Sequence, residues 1–373
     1  MKLLHISDLH IGKKVKGFSL LEDQKYILKQ ITETAVEQKV AGIIIAGDIY
    51  DVSSPSNDAI NLFDNFITDI HSKGISCYVV SGNHDSIYRI AFGSDIMAKE
   101  NIYFAKRYKG EIIPIEAGKN VNIWLLPFIR PMDIREYHQD FAIGSYDEMM
   151  QAVIKNLDIN TKKTNILVTH QFVTCSGKSP EKSDSEIAAL GTLDNVDVSN
   201  FKEFDYVALG HIHKPQIMGR DTVRYAGSPL KYSFSEKNDK KSMVLLDISP
   251  DKKIKQELIP FKPLHDMREY IGTFEELSKN QETDDYVRII LKDENYITDI
   301  KHKLENKFKN IMEILYDNTY TRENKDIKNV QFIKNKTPFD LFNQFYEIQN
   351  NRPLNDIQSE IVNEIFTEME EAK

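Results

Sequence analysis

Ile75-Ser76-Cys77-Tyr78-Val79-Val80-Ser81-Gly82-Asn83-His84-Asp85 runs from an apolar strand through a glycine into an amide, an imidazole and a carboxylate in a row. Three ligand-type side chains at a strand end are costly to hold together unless something offsets their desolvation, and a metal-phosphate site does that. Four other segments repeat the pattern: Leu3-Leu4-His5-Ile6-Ser7-Asp8-Leu9-His10, Ile43-Ile44-Ile45-Ala46-Gly47-Asp48, Ile166-Leu167-Val168-Thr169-His170, and Tyr206-Val207-Ala208-Leu209-Gly210-His211-Ile212-His213. Apolar runs of this length, bounded by turn signals, suit strands buried on both faces. Sites in α/β sheets lie beyond the carboxyl ends of such strands, where each of these polar groups falls. Asp8 and His10 are spaced two apart, as are His211 and His213, so each pair projects to one side of an extended chain. Gly47, Gly82 and Gly210 precede the polar groups, where a missing side chain permits close backbone approach to a ligand.

Asp8-x-His10, Gly47-Asp48, Gly82-Asn83-His84-Asp85, His170 and Gly210-His211-x-His213, in that order, resemble the calcineurin-like metallophosphoesterase family. The resemblance implies two divalent metal ions sharing one carboxylate. Asp8, His10, Asp48 and His213 would hold one ion; Asp48, Asn83, His170 and His211 would hold the other. A shell of oxygen and imidazole suits manganese first, and also iron or zinc, while the lack of thiolates argues against a structural zinc cage. Two such ions acidify a water and neutralise the attacking and leaving oxygens of a phosphoryl displacement. His84 is not needed as a ligand and is placed to protonate the leaving oxygen. Asp51 is a candidate to orient its imidazole. One histidine at a strand end is ordinarily a hydrogen-bonded core or rim residue, but five motifs in a fixed order make coincidence a poor account. His5, His71, His138, His265 and His302 lie outside the motifs and read as core or surface residues.

The chain of 373 residues carries a formal charge of −9, which argues against a protein coated in basic surface but leaves room for local basic loops beside a catalytic groove. The loop Lys13-Lys14-Val15-Lys16-Gly17 is one such feature; as a solvated loop it needs no partner, but beside a phosphate site it reads as a contact for a nucleic-acid backbone. Lys13, Lys14, Lys16 and Arg89 are the candidate DNA contacts. The cysteines, Cys77 and Cys175, provide no disulfide framework, consistent with a reducing compartment. No apolar run approaches a membrane span, and Asp8 interrupts any signal-peptide core, so a soluble cytoplasmic protein is expected.

Helical spacing predicts helices over 22–40, from Pro55 to Ile70, over 86–98 and around Met149, Val153 and Leu157. Their alternation with strands predicts doubly wound α/β layers, and the segments 111–115 and 121–127 look like strands of a second sheet. The expected architecture is a two-sheet metallophosphoesterase sandwich flanked by helices over 1–250. Pro250 to Pro263 reads as a boundary. Beyond it, strands at 266–271, 286–291 and 311–316 with helices at 274–277 and 297–308 predict a small α+β domain over 262–318. Residues 319–336 are polar and suit a linker. Residues 337–373 then carry two amphipathic helices, with Phe339, Phe342, Phe345, Tyr346 and Ile348 on the first and Leu354, Ile357, Ile361, Ile365 and Met369 on the second.

His170-Gln171-Phe172-Val173, Glu186 through Thr192, Gly210 through Gln216, and Arg224-Tyr225-Ala226-Gly227-Ser228-Pro229-Leu230 continuing to Glu236 are similar to the bacterial SbcD exonuclease subunits. That resemblance implies 3′ to 5′ exonuclease action on duplex ends and endonuclease action on single strands or hairpins, in DNA repair and recombination. It also implies a capping domain at 262–318 that helps choose DNA ends, a homodimer built by helices near 55–98, and C-terminal helices that bind an SbcC-like ATPase. Regulation by ATP would come through that partner, since the chain has no Gly-x-x-x-x-Gly-Lys-Ser/Thr loop. The rival readings are a stand-alone phosphoesterase for small phosphoesters or cyclic nucleotides, and a non-catalytic subunit that retained the fold. The extra C-terminal regions weigh against the first, the complete ligand set against the second.

Overall fold

A computed structural model of the chain describes residues 1–139, 143–186, 195–319, 321, 339, 342, 343, 346 and 353–371. The chain divides into two compact units. The larger comprises residues 1–271, 275–290 and 299–315; the smaller comprises 272–274, 291–298 and 316–373.

Two six-stranded sheets dominate the larger unit. The first runs in the order Ile254–Pro260, Ser242–Ile248, Lys2–Ile6, Gly42–Ala46, Ser76–Val80, Ile102–Phe104, its last four strands parallel. The second runs Gln216–Met218, Arg220–Tyr225, Tyr206–Leu209, Thr164–Thr169, Val121–Leu126, Ile115–Glu116, with a parallel centre and an antiparallel strand at each edge. Strand side chains alternate between faces, and the packing follows that period. Ile44, Ala46, Tyr78 and Val80 of the first sheet share a core with Ile123, Ile166, Val168 and Ala208 of the second. The intervening Ile43, Ile45, Cys77 and Val79 pack instead with Ile27, Ile31, Phe63 and Phe66. These last belong to the helices Leu21–Glu37 and Asn57–Ser72. On the outside of the second sheet, Trp124, Leu167 and Val207 pack with Met149 and Val153 of the helix Tyr146–Lys155. Because both faces of the central strands are covered, their sequences are continuously apolar rather than alternating.

Three expectations need correction. The helix over 86–98 is broken into two single turns, Ile87–Ile90 and Ser94–Met97, because Gly93 between them takes φ +71°, outside the helical region. The helix placed at Pro55 begins at Asn57, where the Ser56 side chain accepts from the Ala59 amide and caps it. Residues 250–263 hold the strand Ile254–Pro260, paired antiparallel with Ser242–Ile248. Its Lys255 and Glu257 and its terminal proline mimic a linker in sequence, but they are the marks of an edge strand, where charge and missing donors face solvent.

A third sheet of three strands, Met267–Gly272, Thr283–Leu291 and Phe308–Tyr316, follows with helices Phe274–Leu277 and Ile300–Leu304 between them. This is the strand-helix-strand-helix-strand order that the sequence predicts. Within the larger unit, Tyr286 donates its phenol proton to the buried Asp23 of the first helix at 2.7 Å. The second C-terminal helix spans Asp356–Glu371. The segment 319–336 and the first C-terminal helix fall almost entirely outside the described residues.

Candidate active site

The ligand side chains sit in the turns that leave the parallel strands. After Lys2–Ile6 and Gly42–Ala46 the two exit loops run together: the Asp8 amide donates to the Gly47 carbonyl at 3.0 Å and the His10 amide to the Asp48 carbonyl at 2.9 Å. Asp8, His10, Asp48 and His211 all take positive φ, at 53°, 44°, 48° and 101°. Such conformations cost on the order of 1–3 kcal/mol each in a non-glycine residue and persist only where the surroundings over-determine them. Four of them in one set of ligands bend the chain sharply enough to turn neighbouring carboxylates and imidazoles inward.

The glycines act differently from the expectation. They make room for protein rather than for a bound ligand. A Cβ on Gly47 would stand 2.3 Å from Nδ1 of His170, and one on Gly82 would stand 2.1 Å from Oδ1 of Asp48. The two glycines therefore let the sheets bring His170 and Asp48 to the centre of the site.

All seven expected ligands converge. Around Asp48 Oδ2, His170 Nε2 lies at 3.2 Å and His10 Nε2 at 3.5 Å. Asn83 Oδ1 lies 3.1 Å from His170 Nε2 and 2.9 Å from His211 Nδ1. On the other side, His10 Nε2 lies 3.1 Å from His213 Nε2. Asp8, His10 and His213 form one group with atoms close enough to share a cation, Asp8, Asp48 and His170 form another, and His10, Asp48 and His84 form a third. Asp8 is steered by the Ser7 hydroxyl, which donates to Oδ2 at 2.6 Å, and by the His211 amide, which donates to Oδ1 at 2.9 Å.

The donor set fits divalent cations, and the hydrogen bond on the far side of the His170 ring says why. His170 donates its Nδ1 proton to the Ala46 carbonyl at 2.8 Å, so Nε2 faces the Asp48 and Asn83 oxygens with its lone pair unless it too is protonated. Burial disfavours the charged imidazole, but Asp48 outweighs it and pushes His170 up to about 9. A cation held there would satisfy the same three atoms and displace that proton. Burial pushes the Asp8 carboxyl up to about 7, against the pull of His170. Burial also lowers His213 to about 4 and, with help from His170, lowers His211 to about 3, leaving both imidazoles neutral and able to ligate.

His84 stands beside the ligands, its ring centroid 4.9 Å from that of His10. Its Nδ1 lies 2.8 Å from the Asp51 backbone carbonyl, which accepts the Nδ1 proton and leaves Nε2 for the reaction. Asp51 thus orients His84 through its main chain. Its carboxylate lies 2.7 Å from Lys13 Nζ and 3.4 Å from His10 Nδ1. Of the candidate DNA contacts, Lys13 is engaged by that pair and Lys16 by Glu313 at 2.7 Å, while Lys14 and Arg89 are exposed.

Sequence reasoning missed the support behind His213. Ser185 Oγ lies 2.7 Å from His213 Nδ1 and donates to Glu236 Oε1 at 2.6 Å. Lys241 Nζ donates to Glu236 Oε2 at 2.7 Å and to the His213 carbonyl at 2.8 Å. With Ser185 giving its proton to Glu236, His213 must donate from Nδ1, which fixes Nε2 as the ligating atom. Burial would raise Glu236, but His213 and Lys241 hold it well below the carboxylate range. Asp85 was also left without a role. It accepts from the amides of Gly82, Ile49 and Tyr50 at 2.9–3.0 Å and ties the two motif loops together.

Buried strand ends, two central aspartates and a ring of imidazoles are the donor set of a metal-dependent phosphoesterase. The model for the calcineurin-like phosphoesterases matches residues 1–215, and a model described as the type 5 capsule protein repressor C-terminal domain, SbcD_C, matches 260–350. The chain is 31% identical over 374 aligned residues to the D subunit of the SbcCD nuclease of Staphylococcus epidermidis, covering 98% of both. It belongs to the calcineurin-like phosphoesterase family and, within it, to the SbcD subunits. Among solved structures, a dimetal phosphatase from Danio rerio aligns at 11% identity, TM-score 0.39, over 70% of this chain and 99% of that one. The TT1561 protein of Thermus thermophilus aligns at 12% identity, TM-score 0.40, over 69% and 98%. At those scores they add nothing to the assignment.

Proposed function

We propose that the chain is the metal-dependent nuclease subunit of an SbcCD-type complex and hydrolyses DNA phosphodiesters. The observation that carries the reading is the convergence of Asp8, His10, Asp48, Asn83, His170, His211 and His213 in one linked cluster, in a chain matched end to end by a known nuclease component. Asp8, His10, Asp48 and His213 would hold one manganese ion, and Asp48, Asn83, His170 and His211 the second. Bound there, the pair would supply an acidified water and neutralise charge on the phosphate. The chain contributes His84, whose Nε2 proton goes to the leaving oxygen while the Asp51 carbonyl keeps its ring in place.

The remaining assignments are of the same standing. Residues 1–250, with the strand Ile254–Pro260 that joins their first sheet, form the nuclease domain, 262–318 a capping domain and 319–336 a linker, and the segment 337–373 seats an SbcC-like ATPase. The exposure of Ile357, Ile361 and Ile365 along one face of Asp356–Glu371 supports that seat. Tyr88, Phe92 and Ile96, on and between the two helical turns after the catalytic motif, are 70–82% exposed, the apolar face of a homodimer. Lys14 and Arg89 are free to meet the DNA backbone. Among the described residues no helix is long and apolar enough to cross a membrane, and a cytoplasmic site of action fits the free thiols of Cys77 and Cys175.

The test is cleavage of a labelled duplex and a labelled hairpin with manganese, with magnesium and with chelator. Manganese-dependent cutting of DNA supports the proposal. Hydrolysis of a cyclic nucleotide with no cutting of either DNA overturns it.

A further inference from the structure

A cavity of about 340 Å³ adjoins the metal cluster and has no part in the chemistry above. Its size lies within the range of roughly 300–1,000 Å³ that small-molecule sites occupy. Asn83, whose amide oxygen touches both His170 and His211, forms part of its wall, so the cavity opens off the cluster itself. Phe128 lines it too, with its ring centroid 6.5 Å from that of His170. Two arginines, Arg107 and Arg130, also line it. Arg107 lies 3.3 Å from the Tyr88 hydroxyl and 4.0 Å from Glu136, and Arg130 meets Asp133 at 3.1 and 3.3 Å. Their side chains are 47% and 54% exposed. Exposed pairs of this kind hold weakly, so an incoming phosphate can take over either guanidinium. Of the two acids in the lining, Asp85 has both oxygens engaged by backbone amides and Asp133 is paired with Arg130.

An aromatic face, two guanidiniums and a wall shared with the reacting centre make a surface for a nucleoside and its phosphate. We propose that this cavity is a nucleotide subsite. It takes one unpaired nucleotide next to the scissile phosphate, with the base on Phe128 and the flanking phosphate on Arg107 and Arg130. A base inside a duplex is stacked on both sides and paired at its edge, so only a frayed, looped or extruded nucleotide can enter. The inference rests on the nuclease reading and adds to it the residues that hold the nucleotide beside the cut.

The test uses the full chain with manganese and three chromogenic diesters: the p-nitrophenyl esters of thymidine 3′- and 5′-phosphate, and methyl p-nitrophenyl phosphate, which lacks a nucleoside. Phe128→Ala should raise KM for the better thymidine ester about fivefold or more, since stacking one base contributes on the order of 1–3 kcal/mol. It should leave kcat/KM for the methyl ester within twofold and manganese content unchanged, and Phe128→Tyr should restore the thymidine ester. Arg107→Ala should weaken cleavage of a dinucleotide, which carries a flanking phosphate, more than that of the mononucleoside esters. Equal losses on thymidine and methyl esters, or no loss on either, overturn the subsite. If wild type cleaves the methyl ester but no thymidine ester and no DNA, the nuclease reading fails, and the subsite with it.

Discussion

The Nε2 atoms of His10 and His213 lie 3.1 Å apart in the buried centre of the site. His213 commits its Nδ1 to Ser185, which leaves its Nε2 lone pair facing His10, whose own buried Nδ1 lies 3.4 Å from Asp51 without a hydrogen bond. That geometry is stable around a cation and unfavourable without one. Manganese at 100 times its Kd should therefore stabilise the chain by about 2.7 kcal/mol per site. The melting temperature should rise by several degrees with manganese and fall back with chelator. His213→Ala should lose most of the shift, and a wild-type melting temperature indifferent to manganese would count against the site.

Asp8 makes a pH-dependent prediction. Its carboxyl titrates near 3.8 in an unfolded chain and at about 7 when buried here. The folded chain therefore binds this proton more tightly than the unfolded one. The cost of ionising Asp8 is absent below about pH 4, grows as pH rises, and is complete above 7, where it reaches at most about 4 kcal/mol. In chelator, Asp8→Asn should match wild type near pH 4 and be more stable at pH 8, while losing the response to manganese. A variant less stable than wild type at pH 8 in chelator would show that burial does not govern this carboxyl.

His84 should be separable from the metals. His84→Leu should keep manganese content and lose hydrolysis by about 10²–10⁴-fold, the usual contribution of a positioned general acid. Asp51→Asn retains the backbone carbonyl that holds His84 and should cost less than tenfold. A variant at position 84 that cleaves DNA at near wild-type rate removes the leaving-group role, and a larger loss for Asp51→Asn than for His84→Leu reverses their order.

Glu236 and Lys241 form a buried ion pair behind His213, 0% and 6% exposed. Removing one partner strands the other, at a cost of about 3–5 kcal/mol. Glu236→Gln and Lys241→Met should each lower the melting temperature, and the double variant should lose less than the sum of the two. Because Ser185 transmits Glu236 to His213, Ser185→Ala should weaken manganese binding by roughly 10–100-fold with little change in the metal-free melting temperature. Additive losses in the double variant would mean that the two charges do not act as a pair.

That the seven candidate ligands come together was legible because they follow apolar runs in five motifs of fixed order, and the carboxyl ends of such strands meet on one side of an α/β sheet. The two-sheet architecture was legible for the same reason. What the sequence hid is non-local. Ser185, Glu236 and Lys241 reach His213 from 28, 23 and 28 residues away, and buried charges read in sequence like surface ones. The exchange of roles at Asp51, main chain to His84 and side chain to Lys13, has no signature in residue type. Gly93 inside the expected helix over 86–98 was a visible warning of the break, and Ile254–Pro260 was hidden by the charge that protects an edge strand.

The most direct test of the whole account is a crystal structure of the chain grown with manganese, with the ions located by their anomalous scattering. Two peaks sharing the Asp48 carboxylate, one among Asp8, His10 and His213 and the other among Asn83, His170 and His211, are the predicted result; both should vanish in Asp48→Ala. A single peak, or two that do not share Asp48, would contradict it.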